Sequence, residues 1–471
     1  MTCITRILAV PTVGAYYYED LAALQSKPTP VADRYTAAPV TPGFRHVREV
    51  AEAVSVGLVL DGPSTGSGRC GRVAWGDCVA VAYSGTAGRD PVFRAEDGLA
   101  TIRRAVAPVL EGRELTGFRE MAAEVDVLLE SVEVIRPLPP SKGITRRELL
   151  AAPARLWRAA RGEEQEEDLA PTERVTVERQ LHTAVRYGVS QALLRAVALA
   201  RGVTMAEVIA DEWGLPRPDA PVPIHAQCGA DRYAGADKMI ARRVASLPHA
   251  LVDDIPAQLG EDGAELTRYA RWLKDRIRQL GGPDYRPTVH LDVHGALGQI
   301  FQNNLGRVLG QLYALELAVR PYPLRVESPV VMDGREAQIE AMKTLRKYVR
   351  FRKMNVQLVA DEWADTLEDV KAFVDAQAAD VIQVKMPDLG SVHNAVEAVL
   401  ACQAGGVGAF LGGSCAETDL SARVAVHVAL ATRPDIIMAR PGMGVDEAVS
   451  LVQNETARTL ARIQARPNPS P

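Results

Sequence analysis

Eight short apolar runs alternate with helical stretches through the second half of the chain, and no other pattern in the sequence narrows the fold so far. The runs begin near Val222 (VPIHAQ), Ala245 (ASLPHALV), Thr288 (TVHLDVHG), Leu324 (LRVESP), Gln357 (QLVADEW), Val381 (VIQVKMP), Gly408 (GAFLGGS) and Asp435 (DIIMARPG). Between them, Ala264–Leu280, Leu305–Arg320, Arg335–Arg350, Leu367–Ala376 and Val392–Gln403 carry helical periodicity. Strands alternating with amphipathic helices build parallel βαβ units. Eight such units over roughly 220 residues are the size of a closed (β/α)8 TIM barrel. An open doubly wound sheet is the rival, but no G-x-G-x-x-G follows the first strand. The reading is an α/β chain with the barrel over 221–445 and a C-terminal helix and tail over 446–471.

Residues 1–220 read as an α+β capping domain. Ile7–Val13, Val54–Asp61 and Val73–Val81 alternate as strands of an antiparallel sheet do, and helices are expected at Gly98–Leu110, Gly117–Leu129 and Val175–Ala200. Residues 137–172 look inserted: prolines open the segment, then five arginines precede an acidic run from Glu163 to Asp168, a pattern of solvated, mutually compensating charge. Gly62–Gly71 (GPSTGSGRCG) reads as a flexible hairpin loop; lacking a Gly-Lys-Ser/Thr ending, it is no phosphate loop. With 54 Lys and Arg against 59 Asp and Glu, the net charge of -5 supplies no footprint for nucleic acid. The six cysteines form no C-x-x-C pair, and no apolar stretch reaches the ~20 residues a membrane span needs. A cytoplasmic protein without nucleic-acid or membrane partners is expected.

Functional side chains of such barrels emerge at the C-terminal ends of the strands. The third, fourth and fifth strands end in Asp292, Glu327 and Asp361, one acid per βα unit. Neighbouring strands lie ~4.8 Å apart, so the three carboxylates can converge. They would repel one another unless a cation neutralised them, and hard oxygen ligands favour Mg2+. Strand-end acids can also simply cap the following helix. The sixth strand carries Gln383 and Lys385 on one face, since strand side chains alternate with a period of two. A lysine buried in the mouth should lose proton affinity and serve as a general base, unless it is only an ion-pair partner of one acid. His249, in the second strand, lies across the mouth and is a candidate acid/base, although a lone histidine is often structural. Gly412-Gly413-Ser414-Cys415 offers donors and room for a carboxylate; a phosphate site and a Cys415 nucleophile are weaker readings. A cation held by three acids beside a lysine fits removal of a proton next to a substrate carboxylate.

These residues resemble the methylaspartate ammonia-lyase family of the enolase superfamily over nearly the whole chain outside 137–172. The resemblance rests on GDCVAVAYSG (76–85), HTAVRYGVSQA (182–192), VTMAEVIADE (203–212), DRYAGADKMI (231–240), LPHAL (247–251), VADEW (359–363), QVKMPDLG (383–390), GGSCAET (412–418) and PGMGVDE (441–447). It implies Mg2+ at Asp292, Glu327 and Asp361, Lys385 as base for one substrate epimer, and His249 as acid/base on the opposite face. It also implies Gln227, Gln383, Ser414 and Cys415 around the carboxylates of an amino diacid, a homodimer and a K+ requirement. The implied reaction is elimination of ammonia from 3-methylaspartate or a close analogue, giving mesaconate or a related fumarate. Another superfamily reaction (dehydration or cycloisomerisation) and a non-catalytic barrel are the alternatives. The chain departs from the family pattern at Ala82, where glutamine is usual, at Ser414 (threonine) and at Phe410 (tyrosine). Loss of polar groups at Ala82 and Phe410 is expected to shift specificity toward bulkier or N-substituted aspartates, with Met438 on the eighth strand as a further specificity candidate.

Overall fold

The computed structural model describes residues 2–26, 29–61, 72–137, 172–229, 231–440 and 442–466. Gly62–Gly71, the interior of the inserted segment and the last residues of the tail therefore lie outside the described residues. Met1–Val127 and His182–Pro471 form one compact unit, and Leu128–Leu181 form a second.

All eight runs of the second half are strands: β6 (Ile224–His225), β7 (Ser246–His249), β8 (Thr288–Asp292), β9 (Leu324–Glu327), β10 (Val356–Ala360), β11 (Val381–Lys385), β12 (Gly408–Gly412) and β13 (Ile436–Met438). They pair in parallel in chain order, and β13 closes onto β6. Their inward residues make the core; Val359, Val381, Phe410, Ile436 and Met438 form one such cluster. Register sets the levels of the mouth. Asp292 stands opposite Glu327, Glu327 opposite Val359, and Lys385 opposite Gly412. The crossover helices bury one stripe each: in Ala264–Gly281, Leu266, Tyr269, Ala270, Leu273 and Ile277 recur at helical spacing. Capping boxes at Thr366 and Thr418 start the helices that follow β10 and β12, so the loops bearing Asp361 and Ser414 end at fixed points.

The first part of the chain forms a three-stranded antiparallel sheet, β1 (Ile4–Glu19), β2 (Arg48–Leu60) and β3 (Arg72–Cys78), in that order. The helix Thr183–Arg201 lies against β3. The approach is close: a Cβ on Gly76 would sit 2.1 Å from the Gly188 carbonyl oxygen, and one on Gly188 would sit 2.4 Å from Cys78 Sγ. Only two glycines allow this contact.

Leu128–Leu181 holds a two-stranded antiparallel hairpin, β4 (Leu129–Pro137) with β5 (Thr172–Gln180). Two expected helices are thereby corrected. Phe118–Asp126 ends before Leu129, and the helix expected from Val175 begins only at Thr183. The reason is visible in TERVTVERQ, where the consecutive β-branched residues Val175, Thr176 and Val177 favour a strand over a helix.

Overpacking a tight contact costs typically ~1–3 kcal/mol. Gly188→Ala is therefore expected to lower the thermal midpoint by several degrees, read by calorimetry, whereas alanine at exposed Gly310 in a crossover helix, whose added Cβ meets nothing within 4 Å, should not.

Candidate active site

The mouth of the barrel encloses about 50 Å3 of free space. Strand ends supply most of its wall: Gln227 after β6, His249 ending β7, Asp292 ending β8, Glu327 ending β9, Asp361 and Glu362 after β10, Gln383 and Lys385 on β11, Gly413, Ser414 and Cys415 after β12, and Met438 ending β13. The loop leaving β3 adds Val81, Ala82, Tyr83 and Arg89. Every expected site residue except one lines this space. Phe410 does not; it is fully buried lower in the barrel, its ring 5.2 Å from His225 and 5.4 Å from His290. It lies on the inward face of β12 two residues before Gly412, which places it beneath the cavity.

The chain turns out of five strands through left-handed residues that are not glycine: His249, His294, Ser328, Trp363 and Cys415, with φ from 44° to 66°. Such conformations cost of order 1–3 kcal/mol each and survive where surrounding structure imposes them. Here each aims a loop around the same cavity.

Asp292, Glu327 and Asp361 are all buried. Burial raises the proton affinity of each. Asp361 beside Asp292, and both aspartates around Glu327, drive the first two well above the usual carboxylate range. Asp292 accepts the His294 amide at 2.9 Å, and its other oxygen lies 3.4 Å from His249 Nε2. Glu327 receives Gln383 Nε2 on one oxygen, while His290 Nε2 lies 2.6 Å from the other. Gln383 Oε1 is buried without a hydrogen-bond partner. Three buried acids, two of them raised further by carboxylate neighbours, beside an orphaned amide oxygen form a set that a hard cation satisfies. His249, His290 and Glu327 also bring ligand atoms within 4.8 Å of one another. That trio offers two imidazoles, which suit borderline transition ions better than Mg2+, and the contact between His290 and Glu327 already occupies part of it.

Lys385 Nζ lies 2.7 Å from Asp361 Oδ1. The expectation that burial lowers its proton affinity is reversed. Burial and Arg89 pull it down, but Asp361, Glu362 and Asp388 outweigh them and hold it above the ordinary lysine range. Across the mouth, burial and the charges of Lys385 and His294 lower His249 to about 3, so its imidazole is neutral. Burial pushes the Cys415 thiol up to about 12, which disfavours the nucleophile reading.

Arg89 is the residue that sequence reasoning missed. Its side chain is almost wholly buried and pairs with Glu362 at 3.0 Å, Asp365 at 2.9 Å and Asp388 at 3.0 Å. Burial works against the Glu362 carboxylate, yet Arg89 and Lys385 hold it well below its usual range. Tyr83 and His294, ring centroids 5.2 Å apart, were also missed. Extending the strand-end rule two residues past Asp292 would have found His294. Arg89 carries no local signal beyond its place after β3.

Family patterns described as methylaspartate ammonia-lyase N-terminus and C-terminus match residues 2–214 and 217–465. Methylaspartate ammonia-lyase 2 of Carboxydothermus hydrogenoformans is 42% identical over 460 residues, covering 98% of each chain. The Clostridium tetanomorphum enzyme is 39% identical, over 98% of this chain and 99% of its own. A crystal structure of the Citrobacter amalonaticus enzyme containing (2S,3S)-3-methylaspartic acid matches with a TM-score of 0.83 at 38% identity, over 98% of this chain and all of that one. A Mg complex of the Clostridium tetanomorphum enzyme matches at 0.80, over 99% of this chain and 100% of that one. Muconate lactonizing enzyme of Pseudomonas putida, 15% identical with a TM-score of 0.55 over 91% of this chain and 84% of its own, shares the fold alone.

Removing one partner from a buried ion-pair network costs ~3–5 kcal/mol, because the remaining charges stay unpaired. Arg89→Met should destabilise the protein by that order in denaturant unfolding, and Arg89→Lys by less.

Proposed function

The chain belongs to the methylaspartate ammonia-lyase family of the enolase superfamily, and on that premise we propose that it eliminates ammonia from 3-methylaspartate or a close analogue to give mesaconate or a related fumarate. It is a carbon–nitrogen lyase. The observation that carries the substrate reading is the placing of Lys385 and His249 on facing walls of one cavity with three carboxylates between them.

In this reading Asp292, Glu327 and Asp361 hold Mg2+. When bound, the ion supplies positive charge opposite the substrate carboxylate that gains electron density as C3 loses its proton. Asp361 is the nearest of the acids that hold the Lys385 ammonium, and an Asp361 engaged elsewhere would weaken that hold and favour the amine as base. Lys385 takes the C3 proton of one epimer; neutral His249 takes that of the other. Gln227, Gln383, Ser414 and Cys415 orient the carboxylates, and the C2 amine leaves. Ala82, where the family pattern carries glutamine, and apolar Met438 widen the acceptable substrates toward bulkier aspartates. Phe410, enclosed in the core, acts at most through His225 and His290. The family membership supports a homodimer, a K+ requirement and residence in the cytoplasm, with the amino diacid as partner and neither nucleic acid nor membrane bound. Among the described residues no helix is long and apolar enough to cross a membrane.

The test is incubation with Mg2+, K+ and each 3-methylaspartate epimer, following the unsaturated diacid by absorbance and ammonia by a coupled assay. Both products should appear together; conversion without ammonia would point to another superfamily reaction. Lys385→Ala and His249→Ala should each abolish exchange of the C3 proton, ~100-fold or more, for opposite epimers. Equal loss of both epimers in both variants would refute the two-face arrangement.

A further inference from the structure

We propose that Arg440 is a positioning residue for Gly412–Cys415, the segment assigned above to a substrate carboxylate; the inference rests on that assignment. Arg440 follows β13 and its side chain is wholly buried. Its Nη1 donates to the Gly412 carbonyl oxygen and lies 3.1 Å from Glu417 Oε2. Its other terminal nitrogen reaches Met386 Sδ at 3.8 Å, the residue next to Lys385. Glu417 is also fully buried, and its second oxygen accepts the Tyr187 hydroxyl at 3.0 Å.

This network lies flush against the segment. A Cβ on Gly413 would meet Glu417 Oε2 at 2.1 Å and Arg440 Nη1 at 2.6 Å. Two more glycines press on the following residues: a Cβ on Gly442 would meet the Cys415 carbonyl oxygen at 2.0 Å, and one on Gly14 the Ala416 oxygen at 2.5 Å. The Ala15 amide donates to that same Ala416 oxygen at 3.2 Å. Cys415 is held at a φ of 54° in the middle of this clamp. One guanidinium nitrogen is shared between a carbonyl and a carboxylate while the second rests on a thioether, and the planar group that fixes the two nitrogens relative to each other is one a lysine or a neutral side chain does not reproduce. Arg440 touches no part of the cavity itself. Its influence therefore passes through the backbone that sets where Ser414 and Cys415 face.

A merely structural ion pair makes a different prediction. Deleting both members of a buried pair together is often neutral for stability, whereas deleting one is costly. Arg440→Met alone should unfold at lower temperature, and Arg440→Met with Glu417→Gln should recover most of that loss. The recovered double variant should still show KM for 3-methylaspartate raised at least tenfold with kcat changed less than threefold, and Arg440→Lys should fall between. A double variant with KM within twofold of the parent overturns the proposal. Equilibrium binding of mesaconate in the presence of Mg2+ reads the same segment without turnover. Parent protein that binds mesaconate but turns over neither epimer sinks the proposed reaction while leaving this inference testable. Weaker mesaconate binding by the double variant supports the inference; unchanged binding, or no binding by the parent, overturns it.

Discussion

Six buried carboxylates crowd the open end of the barrel: Asp292, Glu327, Asp361, Glu362, Asp365 and Asp388. Burial makes each charge expensive, and proximity makes each more so. Two cations of the chain face them. Arg89 takes Glu362, Asp365 and Asp388, and Lys385 takes Asp361. This division leaves Asp292 and Glu327 with neutral imidazoles beside them and no cation of their own; both are driven well above the ordinary range, as burial also drives Asp365 despite Arg89. The mouth thus separates into acids gathered on Arg89 and an inner set of Asp292, Glu327 and Asp361 that a divalent ion would complete.

The same requirement explains why the sheet of the first part belongs to the site. Arg89 sits on the loop leaving β3, and β3 is fixed by the glycine contact with the helix Thr183–Arg201. Further ties run from this part to the segment after β12. Ser414 Oγ donates to the Ala80 carbonyl at 3.2 Å, and Thr418 Oγ1 donates to Asp77. Packing far from the chemistry therefore sets the position of a charge within it. Both walls of the cavity, the strand ends and the β3 loop, are held by contacts that tolerate little change in volume.

Much of this was legible in the sequence. The eight barrel strands and the acid at the end of each of three neighbours follow from short apolar runs alternating with helical segments and from a spacing of one acid per unit, both local signals. What escaped reading is non-local. Arg89 is separated from its acidic partners by 273 to 299 positions, and nothing in SGTAGRD marks it. The high proton affinity of Lys385 is non-local too: the ion pair was open as an alternative, but the joint field of Asp361, Glu362 and Asp388 exists only once the barrel closes. Phe410 was expected near the cavity from its departure from the family pattern, which carries no information on depth; two residues of register separate it from the wall. The hairpin after Asp126 was hidden because TERVTVERQ directly precedes a true helix.

Burial and mutual repulsion raise the proton affinity of Asp292 and Glu327, so a hard divalent cation that binds there competes with protons. Titration calorimetry with Mg2+ near neutral pH, repeated in two buffers of different ionisation enthalpy, reads this directly, since binding to protonated ligands releases protons. The account predicts saturable binding with net proton release, reduced in Glu327→Gln. Saturable binding with no proton release, or no binding, would contradict it.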